Sequence, residues 1–218
     1  MKVNEIFFSI QGESASIGLP TIFVRFTGCN LRCTYCDTKY SYYEGESDTP
    51  EGILEKIRSY GIKRVCLTGG EPLIQPRTEM QRLLDLLAAE NYEVSIETDG
   101  SIDISKFQLR GRQRFILDMK VPSSAMSNRM DFENLKRIVP ERDEVKFVVG
   151  NREDYEWARN LMQQYELQPE KGYQLIFSPI FGDITYQELV SWLLEDRIDV
   201  RFQVQLHKIV WDPDLRGV

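Results

Sequence analysis

Short apolar runs recur along the chain, separated by stretches whose apolar residues fall at helical spacing. The runs at 21–27, 64–68, 93–97, 114–118, 145–149, 174–177 and 200–206 predict strands. Most are continuous and rich in Val, Ile, Leu and Phe, the pattern of parallel strands covered on both faces. A further strand at 3–10 precedes them as a hairpin-like partner. Helix punctuation lies between the runs. Thr49 is placed to cap a helix with Pro50 at its first position and Ile53, Leu54 and Ile57 on one face. The segment 81–89 repeats leucine through Leu83, Leu84, Leu86 and Leu87, and Asn151 precedes a helix through Trp157 and Leu161. Thr185 with Glu188 three residues on forms a capping box.

Strand and helix alternating about six times predicts a parallel α/β fold. A complete eight-unit barrel takes ~250 residues. A chain of 218 residues therefore predicts a partial, partly open (β/α) barrel of about six units with an N-terminal strand extension. No internal repeat or linker divides it, so a single domain over 1–218 is expected.

Composition narrows the class. With 42% hydrophobic and 28% charged residues, 14 Gly and 9 Pro, the chain is neither collagen, coiled coil nor low-complexity sequence. No apolar run approaches the ~18 residues of a membrane span, and Met1-Lys2-Val3-Asn4 does not open a signal peptide. A cytoplasmic protein with no membrane partner is expected. Against 34 acidic residues stand 27 basic ones, a formal net charge of -7, which disfavours a nucleic-acid partner.

Cysteine changes the picture. Three of the four cysteines, Cys29, Cys33 and Cys36, form C-x3-C-x2-C directly after the strand at 21–27. Clustered thiolates suit zinc or iron–sulfur. Structural zinc takes four closed ligands, yet the one histidine is the remote His207, and Cys66 lies inside the apolar run Val65-Cys66-Leu67 as a small buried hydrophobe. Three thiolates suit a 4Fe–4S cluster with one iron open, whereas carrier ferredoxins bind every iron through cysteine. A zinc-binding module or an electron carrier stays open as a non-enzyme alternative.

Further motifs close the following strands: Leu67-Thr68-Gly69-Gly70-Glu71-Pro72, then Glu97-Thr98-Asp99-Gly100, then Asp118-Met119-Lys120. Singly, each reads as a turn. Together with the cysteines they resemble the radical S-adenosylmethionine superfamily. The resemblance implies a 4Fe–4S cluster on Cys29, Cys33 and Cys36, with S-adenosylmethionine chelated at the open iron and cleaved to a 5′-deoxyadenosyl radical. It places Tyr35, Cys36 and Asp37 at the cofactor, with Gly70 and Glu71 from the GGEP-like motif. Glu97, Asp118, Lys120 and Ser178 complete that set; Asp99 stands where the family's ETNG segment has Asn.

The stretch Ile6-Phe7-Phe8-Ser9-Ile10-Gln11-Gly12-Glu13-Ser14, the segment Cys36-Asp37-Thr38 and the C-terminal Gln205-Leu206-His207-Lys208 resemble the 7-carboxy-7-deazaguanine synthase family. That family contracts 6-carboxy-5,6,7,8-tetrahydropterin to 7-carboxy-7-deazaguanine with loss of ammonia, a step toward queuosine, using its cofactor catalytically. The resemblance implies substrate contacts at Ile10, Gln11, Gly12, Glu13, Arg25, Thr68 and His207, and Mg²⁺ at Thr38. A planar guanidinium suits the substrate carboxylate, and Mg²⁺ takes oxygen ligands, completed here by substrate and water. An electron donor such as a flavodoxin, and a homodimer, are implied as partners. The competing enzyme reading, a glycyl-radical activase, shares the cysteine spacing but lacks the Gln-Gly-Glu and Asp-Thr segments.

Overall fold

The computed structural model describes residues 1–213 and 215–218. Strand β1 (Lys2–Ile10) pairs antiparallel with β2 (Pro20–Phe26), and β3 (Glu46–Ser47) borders β1 on its other side. Helix α1 (Pro50–Arg58) leads to β4 (Arg64–Gly69), and α2 (Arg77–Ala89) to β5 (Glu93–Thr98) and then β6 (Gln113–Met119). The one-turn α3 (Asn134–Arg137) precedes β7 (Glu144–Val149), and α4 (Arg152–Gln164) precedes β8 (Gln174–Pro179). Last come α5 (Tyr186–Glu195), β9 (Arg201–Phe202) and the short α6 (His207–Val210). The sheet runs β3-β1-β2-β4-β5-β6-β7-β8-β9, parallel from β2 onward, and its two edges do not pair. It is a partial, open barrel. None of the helices described is long and apolar enough to cross a membrane.

The caps form as local chemistry dictates. Thr49 accepts from the Gly52 N–H, Asn151 from the Asp154 N–H, and Thr185 with Glu188 closes both arms of its capping box. Regular alternation fails in one place. Between β5 and β6 there is no α-helix, only the 3₁₀ turn Ile104–Lys106. The strand expected over 200–206 is also cut to Arg201–Phe202. Beyond it the chain leaves the sheet because its hydrogen bonds go elsewhere. The Gln203 side chain accepts from Ser14 N–H at 2.5 Å and donates to Ser14 C=O at 2.9 Å, while Leu206 N–H donates to Gly12 C=O at 3.0 Å. These bonds close the seam that the strands leave open.

The strands are not apolar on both faces. The register aligns Arg25 with Thr68, Asp118 with Lys146, and Val148 with Ser178. Side chains alternate along a strand, so these polar residues share the concave face with Glu97. The opposite parity, including Val24, Leu67, Ile96, Leu117, Val145 and Phe147, packs into the core beneath the helices.

Candidate active site

The concave face opens into a cavity of about 1050 Å³. Its mouth is the loop after β2, carrying Cys29, Cys33, Tyr35, Cys36, Asp37 and Thr38; its floor is the polar row Thr68, Glu97, Asp118 and Lys146. The chain can turn so sharply here because two glycines meet. A Cβ on Gly70 would lie 1.8 Å from the Gly28 carbonyl oxygen. Gly70 is thus required by the approach of the cysteine loop, a backbone constraint independent of any ligand.

All three thiols of the motif face this cavity and none forms a disulfide. Cys29 lies 3.8 Å from Asp99 Oδ2 and accepts from Leu31 N–H at 3.4 Å. Burial pushes the Cys29 thiol up to about 12 and Cys33 to about 11. A soft cation arriving here displaces protons and relieves that penalty. Cys66 is fully buried in β4, as its setting in the sequence predicts.

Around the thiols lies a chain of charges. Lys120 Nζ is 2.9 Å from Asp118 Oδ2, which Lys146 Nζ approaches to 3.4 Å; Lys146 in turn is 2.5 Å from Glu13 Oε2. Burial opposes the charge on Lys120, but the Asp118 carboxylate outweighs it and holds the ammonium protonated. Lys120 is a largely buried, paired lysine and not a solvated one. Three buried acceptors or donors at the cavity, Glu13 Oε1, Asp118 Oδ1 and the Tyr35 hydroxyl, make no hydrogen bond among the described residues. Orphaned polar atoms beside three convergent thiols fit a site built to hold polar ligands against a metal cluster.

Gln11 donates to Glu97 Oε1 at 3.2 Å and Thr68 to Glu97 Oε2 at 3.0 Å. Arg25 Nε is 2.7 Å from Glu5 Oε1, and its guanidinium carbon stands 5.6 Å from the Phe7 ring centroid and 5.7 Å from that of Tyr40. Thr38 donates to Asp37 Oδ1 at 2.8 Å, and Lys208 holds Asp37 Oδ2 at 2.7 Å. Partial desolvation opposes ionisation of the half-exposed Asp37, yet Lys208 holds its carboxyl down at about 2. Burial lowers His207, with Glu13 opposing, so its imidazole is neutral at pH 7. A Cβ on Gly12 would fall 2.0 Å from His207 Nδ1, so glycine at that position lets the histidine pack.

Ile10, Gln11, Gly12, Glu13, Arg25, Thr68 and His207 therefore share one cavity with the cysteines. Two expected residues do not line it. Glu71 is fully buried and turned away: its oxygens accept from Leu73 N–H at 2.9 Å, Thr98 Oγ1 at 2.9 Å and Asp99 N–H at 2.6 Å. That side chain fixes the Asp99 turn behind Cys29. Ser178 is also fully buried, on β8, with its hydroxyl unbonded among the described residues. Lys146 and Tyr40 were missed by sequence reasoning; a lysine inside Val145-Lys146-Phe147-Val148 was the available signal.

An open barrel with three thiols at its mouth defines a class. The Radical SAM superfamily profile matches residues 23–156, and the chain belongs to that superfamily. It is 38% identical over 233 residues to the 7-carboxy-7-deazaguanine synthase of Koribacter versatilis, covering 100% of both chains. It is also 38% identical to that of Clostridium acetobutylicum, covering 100% of this chain and 99% of the relative. Within the superfamily, the chain belongs to the 7-carboxy-7-deazaguanine synthase family. Among solved structures, QueE from Escherichia coli superposes with a TM-score of 0.75 at 24% identity over 94% of each chain. Streptococcus suis SuiB gives 0.59 at 11% identity, over 84% of this chain and 47% of the other. These two likenesses speak to the fold.

Proposed function

We propose that this enzyme is a carbon–nitrogen lyase that converts 6-carboxy-5,6,7,8-tetrahydropterin to 7-carboxy-7-deazaguanine and ammonia, as a single domain over 1–218. The observation that carries the reading is one cavity that gathers Cys29, Cys33 and Cys36 with Gln11, Glu13, Arg25 and Thr68, in a chain that matches synthases of that name end to end. Cys29, Cys33 and Cys36 would hold the 4Fe–4S cluster. When bound, the cluster and S-adenosylmethionine supply one-electron cleavage and a radical able to abstract hydrogen.

The protein's own part is to bind, orient and exclude water. Tyr35, Asp37, Gly70, Asp118 and Lys120 form the cofactor half, with the Lys120 ammonium suited to a carboxylate. Gln11, Glu13 and Thr68 offer donors and acceptors to the pterin edge, and Arg25 turns its remaining guanidinium nitrogens toward the substrate carboxylate. Ile10, Gly12 and His207 shape the opposite wall, and Glu97 fixes Gln11 and Thr68. Thr38 would hold Mg²⁺ with substrate oxygens and water. A flavodoxin-like electron donor, a homodimer and a cytoplasmic setting complete the reading.

The test is an anaerobic assay of the reconstituted enzyme with the carboxytetrahydropterin, S-adenosylmethionine, reductant and graded Mg²⁺. The deazaguanine chromophore is expected, with a rate that rises with Mg²⁺ in wild type and a flattened response in Thr38→Ala. Cleavage of S-adenosylmethionine with no deazaguanine would refute the substrate; identical Mg²⁺ curves would refute the metal ligand.

A further inference from the structure

Lys146 lies at the junction of the two halves of the cavity. Its β7 strand is otherwise apolar or buried, and its side chain is 8% exposed. Its ammonium meets one oxygen from each of two carboxylates on different elements: Glu13 Oε2, from the loop after β1, at 2.5 Å, and Asp118 Oδ2, from β6, at 3.4 Å. The second oxygen of each, Glu13 Oε1 and Asp118 Oδ1, is buried and has no hydrogen-bond partner among the described residues. Both carboxylates line the cavity. One lysine thus holds each acid by one oxygen and leaves the second oxygen of each without a partner among the described residues, on side chains that line the cavity. Buried acceptors without partners cost stability, and a fold that pairs one oxygen and strands its twin has set that twin aside for something that arrives.

We propose that Lys146 is a positioning residue for both ligands: it anchors Glu13 and Asp118 as ionised acceptors, so that Glu13 Oε1 receives an N–H of the substrate's aminopyrimidinone edge and Asp118 Oδ1 receives a hydroxyl of the cofactor. This rests on the pterin reading above for its first arm, and on membership of the superfamily for its second. The surroundings explain why a cation is needed. Glu97 on β5 also faces Lys146, Lys120 is committed to Asp118, and the neighbouring His207 on α6 is neutral through burial. Tyr35, across the mouth, is likewise uncharged because burial raises its hydroxyl. Without Lys146, three carboxylates would share a desolvated space with one ammonium. Like charges so placed repel one another, and the Lys146 ammonium offsets that repulsion while keeping one oxygen of each acid in place.

The test uses the anaerobic cluster-loaded enzyme and calorimetric binding of the carboxytetrahydropterin and, separately, S-adenosylmethionine, between pH 6 and 9. Lys146→Met keeps the length and apolar stem without the charge; Lys146→Arg keeps a cation. At pH 7 we expect Lys146→Met to weaken each ligand at least tenfold. Its pterin affinity should stay below that of wild type across the whole pH range. Lys146→Arg should lie within about threefold of wild type for both ligands. Wild-type binding by Lys146→Met at every pH would overturn the inference. So would a loss that arginine does not rescue, which marks simple packing. If wild type itself fails to bind the pterin, the substrate reading falls. The S-adenosylmethionine arm then still decides whether Lys146 serves Asp118.

Discussion

Arg25 illustrates what a residue type can do that its charge does not reveal. Glu5 occupies its Nε, at 2.7 Å, and the rings of Phe7 and Tyr40 flank its plane. A guanidinium can satisfy Glu5 and still present two nitrogens to a ligand carboxylate; an ammonium, being a point charge, must divide itself. Arg25→Lys is therefore expected to weaken pterin binding about tenfold, about 1.4 kcal/mol, and to leave S-adenosylmethionine binding unchanged in calorimetry. Loss of cofactor binding with intact pterin binding would assign Arg25 to the other half of the cavity. At this scale the sequence is informative where chemistry is local. Cys29, Cys33 and Cys36 declare themselves by spacing, and Cys66 by its apolar neighbours. Glu71 does not, because its motif names the residue but not the direction of its carboxylate, which the fold turns toward Thr98 and Asp99. Lys146 escapes notice because an apolar run hides the one face that alternation makes polar.

Elements were legible where their ends carry their own hydrogen bonds. Thr49, Asn151 and Thr185 each cap from within four residues, so the sequence contains both partners. The shortened β9 was not legible, since the residue that ends it pairs 189 positions away: Gln203 with Ser14. That amide pair, with the Leu206–Gly12 bond, ties the segment bearing Gln11 and Glu13 to the one bearing His207. Gln203→Ala strands a buried N–H and C=O on Ser14, at ~1–3 kcal/mol for each group. A loss of about 2–6 kcal/mol is expected, seen as a lower denaturation midpoint with unchanged slope, and pterin affinity should fall with it because both walls of the substrate half hang on the seam. An unchanged midpoint and affinity would show that the Gly12 carbonyl bond suffices to hold the seam.

On the scale of the whole molecule, the cluster loop and the core are nearly separate structures. The core runs continuously from Met1 and Val3 through the outward faces of β2, β4, β5, β6, β7 and β8 to Leu189 and Leu193, with α1, α2 and α4 packed on it. The loop after β2 sends Leu31 into this core and lays Cys29, Cys33 and Tyr35 at its margin. Small metal-dependent domains unfold without their metal because ligation replaces a core; here burial across the whole sheet supplies the stability. Chelating the iron under reducing conditions should therefore leave the far-ultraviolet circular dichroism and a cooperative melt in place. Acid should favour the loss and alkaline pH the reloading, since the Cys29 and Cys33 thiols are pushed up to about 12 and about 11 by burial and, as the proposed iron ligands, would have to give up their protons. Hydrogen exchange should rise in residues 28–43 and in the turn at 97–101, whose Asp99 touches Cys29, and remain slow in β4 to β8. A stripped chain that melts without cooperativity, or exchanges throughout the sheet, would mean that the cluster holds the barrel together and does not merely occupy its mouth.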